Sequence, residues 1–195
     1  MHSIEYNLSL MDAMLDDFEG YVLSSQVFWP LAQKKRQSAL FPRLTLGGLL
    51  LLIDELSAQQ NLMSPEQERE YQQLQRDYDR ITVKWRVAME RKTNDELGAR
   101  INMWRAFLQD LEEEPDIIES LSQEVRNRVM ITRLLELIGP LSEDQNEMKM
   151  IRSLDARLRD FVIPGDFTWD EALEKMYPQE NFPFLYLQPR GFPVH

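Results

Sequence analysis

The chain has 195 residues, 33 acidic against 22 basic side chains, a net charge of −11 and no cysteine. Without cysteine there can be no disulfide, thiol nucleophile, thiolate zinc site or iron–sulfur cluster. The acidic excess is spread along the whole sequence, so no basic segment large enough for general nucleic-acid or anionic-membrane binding is expected. With 43% hydrophobic residues and only seven glycines, the chain reads as an ordinary globular protein favouring helices over glycine-turned sheets. The most apolar run, Leu44 to Ile53, is interrupted by Thr45 and two glycines and is short of a membrane span. The opening Met-His-Ser-Ile-Glu has no basic region ahead of an apolar stretch, which argues against a secretory signal, and a cytoplasmic setting is expected.

Taken in chain order, Leu8, Met11, Met14, Leu15, Phe18 and Val22 predict a first helix over 8–24. A loop through Phe28-Trp29-Pro30 and Lys34-Lys35-Arg36 follows. Thr45 should then cap a second helix that runs to about residue 60 and is apolar almost all round at its start, as central bundle helices are. Ser64-Pro65-Glu66-Gln67 combines a capping serine, a first-turn proline and a glutamine three residues after the cap. From it Tyr71, Leu74, Tyr78, Ile81, Trp85 and Ala88 step by threes and fours. The seam turns polar at Lys92, and a second stripe runs Leu97, Ile101, Trp104, Leu108 and Leu111. The two tryptophans stand about a quarter turn apart around a helix axis, so one long helix over 65–112, bent near 92–98, is expected. Both should be largely buried.

Pro115 should open the next helix, with Ile118, Leu121, Val125, Val129, Leu135 and Ile138 on its apolar face and Gly139-Pro140 as its stop. Ser142-Glu143-Asp144-Gln145 reads as a second capping box ahead of Met148, Ile151, Leu154, Leu158 and Phe161. A short helix should begin at Thr168 and end before Pro178. The final stretch, with prolines at 183, 189 and 193 among aromatic residues, cannot be helical. The expectation is an all-α bundle of about five to six helices, a single domain over 1–180, with an extended C-terminal arm over 181–195.

Groups suited to chemistry are scarce. The two histidines, His2 and His195, sit near the two ends of the sequence. Thr45-Leu46-Gly47-Gly48 at a helix start could hold an anion on free N–H groups, or its glycines could simply admit a close neighbour. Asp16, Asp17 and Glu19, with Glu171 and Glu174 as a second cluster, are the candidate ligands for a divalent cation; the simpler reading is a solvated acidic face. Seven acids and no base lie between Asp110 and Glu124, opposite a base-rich stretch from Lys84 to Arg105 and Arg126, Arg128 and Arg133, which suggests interhelical ion pairs. Arg128 falls on an apolar stripe and should be buried on a carboxylate, with Glu124 the nearest candidate.

Three functional classes remain in order. The first is a non-catalytic interaction or assembly protein that binds a protein partner or forms a homo-oligomer, with Phe182, Phe184, Tyr186 and Phe192 as the docking side chains of an arm that seats either on its own bundle or on another subunit, and no cofactor. The second is an all-helical magnesium- or manganese-dependent enzyme using the carboxylates above. A nucleic-acid binder ranks third because of the charge.

Overall fold

The computed structural model describes residues 2–31, 41–139 and 145–191. It is dominated by six α-helices: α1 (Ile4–Leu23), α2 (Leu46–Ala58), α3 (Pro65–Lys84), α4 (Arg86–Glu113), α5 (Leu121–Ile138) and α6 (Asn146–Leu158). Two three-residue strands, β1 (Val162–Pro164) and β2 (Leu187–Pro189), form a small antiparallel pair with Ile163 opposite Gln188. Among the described residues, no helix is long and apolar enough to cross a membrane. Packing divides the chain into two compact units, Met1–Glu96 and Leu97–His195, with the division inside α4.

In the first unit α1 packs on both α2 and α3. It starts a turn before the expected position because Ser3 caps it, its hydroxyl accepting from the Tyr6 N–H at 3.2 Å. The capping box at Ser64 is formed as read, the Ser64 side chain and backbone exchanging hydrogen bonds with Gln67. Met11, Phe18, Tyr21, Val22, Leu49, Leu56 and Tyr71 fill the core, and Phe18 stacks on Tyr21 and Tyr78. Backbone hydrogen bonds between Trp29 and Leu44, 2.8 and 2.9 Å long, draw together the two ends of the α1–α2 connection. Lys34-Lys35-Arg36 lies outside the described residues.

The long helix is interrupted, but not where its polar stretch suggested. The break falls at Trp85, whose backbone (φ −115°, ψ 32°) leaves helical space, whereas α4 runs unbroken through 92–98. Within that stretch the Thr93 and Asn94 side chains donate back to the carbonyls of Met89 and Glu90, and a Cβ at Gly98 would meet nothing within 4 Å. The buried positions of α4 step by threes and fours, Met89, Lys92, Glu96, Arg100, Trp104, Leu108, Leu111, and the run of fours carries the buried face around the axis between the two ends of the helix. The two apolar stripes are joined through a middle that is polar and buried. Trp104 is fully buried, but Trp85, at the break, is only half-buried.

In the second unit Pro115 opens a 3-10 segment, Pro115–Ser120, before α5 begins at Leu121. Gly139 ends α5 with φ +86°, a left-handed conformation that favours glycine. Of the second capping box, Ser142 to Asp144 lie outside the described residues. Thr168 does not cap a helix; it donates to the carbonyls of Leu185 and Leu187, and Asp170 caps the 3-10 turn Glu171–Met176 instead. The C-terminal arm is, over 181–191, packed into this unit. Phe182, Phe184 and Leu185 are buried in it, β2 pairs with β1, and the 183–185 turn packs on α5.

Candidate functional site

The first unit holds a buried polar cluster built from one turn of α4. Lys92 and Glu96, four residues apart and therefore on one face of the helix, are both fully buried. The Glu96 carboxylate accepts from the Leu46 N–H at 2.6 Å, the Gly47 N–H at 3.1 Å and the Tyr21 hydroxyl at 3.2 Å. These N–H groups open α2, where no intrahelical acceptor exists for them, and the Thr45 hydroxyl takes a third from Gly48. The free N–H groups at Thr45-Leu46-Gly47-Gly48, the lesser of the two readings of that motif, are therefore taken up by a carboxylate of the same chain. One turn away, the Lys92 ammonium donates to the carbonyls of Ser24 and Gln26 at 2.8 and 2.9 Å and lies 4.5 Å from the Tyr21 ring centroid. Each charge opposes the dipole end it meets: anion at the start of α2, cation at the end of α1. Burial pulls the Lys92 pKa below the usual lysine value.

The corresponding cluster of the second unit centres on Arg128, which is 9% exposed. Its guanidinium grips Asp155 of α6 with two hydrogen bonds of 2.8 and 2.9 Å, donates to the Thr132 hydroxyl and covers the Phe184 ring at 4.4 Å. Its partner is thus Asp155 and not Glu124, which accepts instead from Asn127. The reason is reach: Asp155 comes from a facing helix and can meet the fork end-on, in the bidentate geometry that Arg favours. An edge-to-face run of rings, Trp169, Tyr177, Phe182 and Phe184, continues from this point. Arg100 donates to Asn127 at 3.1 Å.

The sequence-derived candidates fare differently. In the first unit Glu19 pairs with Lys84 at 2.9 Å, which holds its carboxyl below the ordinary glutamate range, and Asp16 is exposed while Asp17 is half-buried. Glu171 and Glu174 are exposed and belong to the second unit. Among the described residues no group of three or more His, Asp or Glu side chains could hold a metal ion. Of the docking residues, Phe182 and Phe184 are 2% and 4% exposed inside their own unit, Tyr186 donates its hydroxyl to the Tyr177 carbonyl, and Phe192 lies outside the described residues. The expected docking arm is, over this part, core: rings of this size gain more from a groove on their own unit than from water. In the acidic run, Glu112 takes a fork of two hydrogen bonds from Arg157, 2.6 and 2.7 Å. An open cleft of about 580 Å³ lies at the end of α5, lined by Thr132, Leu135, Glu136, Met148 and Glu180. Its described walls carry two carboxylates, Glu136 and Glu180, among apolar and polar side chains.

Sequence reasoning missed Lys92 and Glu96. The available signal was their register: both continue the three-four stepping from Met89 to Trp104, which a charged residue hides when only apolar positions are followed. Comparison with protein-family models, curated proteins and solved structures finds no match to this chain.

Proposed function

We propose that this is a non-catalytic helical protein that acts by binding, either to another protein or to a second copy of itself, in a cytoplasmic setting. One observation supports the reading most. The buried charges Lys92, Glu96, Arg100 and Arg128 are each committed to the chain's own helix ends and side chains. Catalytic groups are instead held near a cavity with hydrogen-bonding capacity directed at a ligand. Buried charges tied to backbone ends set the geometry of a scaffold, and the exposed face of the scaffold is then what meets a partner.

Native mass spectrometry of the protein purified from its source cell tests this. A stoichiometric complex, whether homomeric or with another protein, is the expected result. Calorimetric titration with Mg²⁺, Mn²⁺ and Ca²⁺ is the companion measurement. Saturable binding of one of these ions, together with a monomer that never associates, would overturn the reading in favour of carboxylate-metal chemistry.

A further inference from the structure

The outward face of α3 and the start of α4 carries the two most exposed large apolar side chains among the described residues, Val83 at 79% and Val87 at 73%. They lie four residues apart, and the break at Trp85 does not separate them. The Trp85 N–H still donates to the Ile81 carbonyl at 3.0 Å, and the Met89 N–H to the Trp85 carbonyl at 2.9 Å, so the face continues. Around the valines the charges have a mirrored pattern. Val83 and Val87 each stand two residues from Trp85, Arg80 and Glu90 each five, and Asp79 and Arg91 each six. All six are exposed.

We infer that this face pairs antiparallel with the same face of a second copy, about a two-fold axis passing beside Trp85; the inference rests on the binding reading above. In that arrangement positions near the middle of the face meet their mirror positions. Val83 lies on the partner's Val87 and Arg80 faces the partner's Glu90, while Asp79 and Arg91 stand on opposite edges of the face and border it without meeting. A parallel pairing sets like charge on like, so the pattern selects the antiparallel one. Existing contacts leave these groups available. Arg80 holds Asp77 and Arg86 approaches Glu90 at 4.0 Å, but both are surface pairs whose exchange costs little. Near the axis Lys84 stands beside the same residue of the second copy, and the Glu19 carboxylate that engages it offsets that like-charge approach. Two valines flanked by ion pairs make a small, transient interface, weakened by salt.

Sedimentation equilibrium of the full chain in low salt, up to about 1 mM, reads the association constant directly. The expected result is a monomer–dimer equilibrium. Val83→Lys, a surface change that leaves the helical spectrum unaltered, should weaken it about tenfold or more. Arg80→Glu and Glu90→Arg should each weaken it about tenfold, while the double exchange restores it to within about threefold of the original, because only this register sets 80 against 90. A monomer at every concentration overturns the inference, as does a dimer insensitive to Val83→Lys or one that the double exchange fails to restore. A complex with a different protein found alongside such a monomer would leave the wider binding reading standing.

Discussion

Arg128 shows how one residue joins distant parts of the second unit. It connects α5, α6 and the turn at Phe184, and it is buried enough that removal leaves Asp155 without its counter-charge. Arg128→Ala should cost about 2–3 kcal/mol in urea unfolding, whereas Arg126→Ala, an exposed change, should cost under about 1 kcal/mol. Equal and small losses would show that the stripe carries no buried pair. The Glu112–Arg157 fork is a different case. The guanidinium holds the Glu112 carboxyl below its ordinary value of 4.5. A carboxyl with a depressed folded pKa contributes stability above its unfolded pKa and loses it as pH falls through the folded one. Glu112→Gln should therefore lower stability slightly at neutral pH, by a difference that disappears as pH falls below about 4.5, so that the variant loses less on acidification. Because the pair is exposed, 0.5 M salt should shrink the difference; an effect that persists undiminished would contradict this account.

At the level of elements, a single turn of α4 anchors the ends of two other helices. Glu96 completes the start of α2, and Lys92 donates to the carbonyls that follow α1. Both are fully buried although neither shares the side of α4 that carries Leu97, Ile101 and Leu108, so the helix ends they meet are what hold them in the interior. Glu96→Gln keeps the shape but replaces one acceptor oxygen with a donor that faces N–H groups. The expected destabilisation is about 2–3 kcal/mol, with amide exchange accelerated first at Leu46 and Gly47. Unchanged protection at those two amides would mean that the carboxylate is not what holds α2.

For the whole molecule, the C-terminal segment decides whether the second unit closes. Phe182, Phe184 and Leu185 are buried there, each worth about 1.5–3 kcal/mol, against a total stability for a domain of about 5–15 kcal/mol. Ending the chain after Pro178 should unfold the second unit, with the Trp104 emission shifting to the red, while helices of the first unit persist. A truncated chain with native emission would show that the segment is an appendage after all. This outcome is separate from the pairing face on α3 and α4, which lies entirely in the first unit.

Short-range chemistry makes much of this molecule legible in its sequence. The caps at Thr45 and Ser64, the stop at Gly139 and the apolar periods of α1, α5 and α6 depend only on neighbours within a turn or two, and each lies where the residues imply. Helix content follows from the same local rules. Partner choice does not. That Arg128 would meet Asp155 and not Glu124, that Glu96 would fill the anion site at α2, and that Phe182 and Phe184 would seal their own unit all depend on which segments face one another. The break at Trp85 belongs to the same class. A polar turn at Lys92 resembles the end of a buried face unless the helix ends of opposite polarity beside it are taken into account. A charge is placed by the field around it, and that field exists only once the chain has folded.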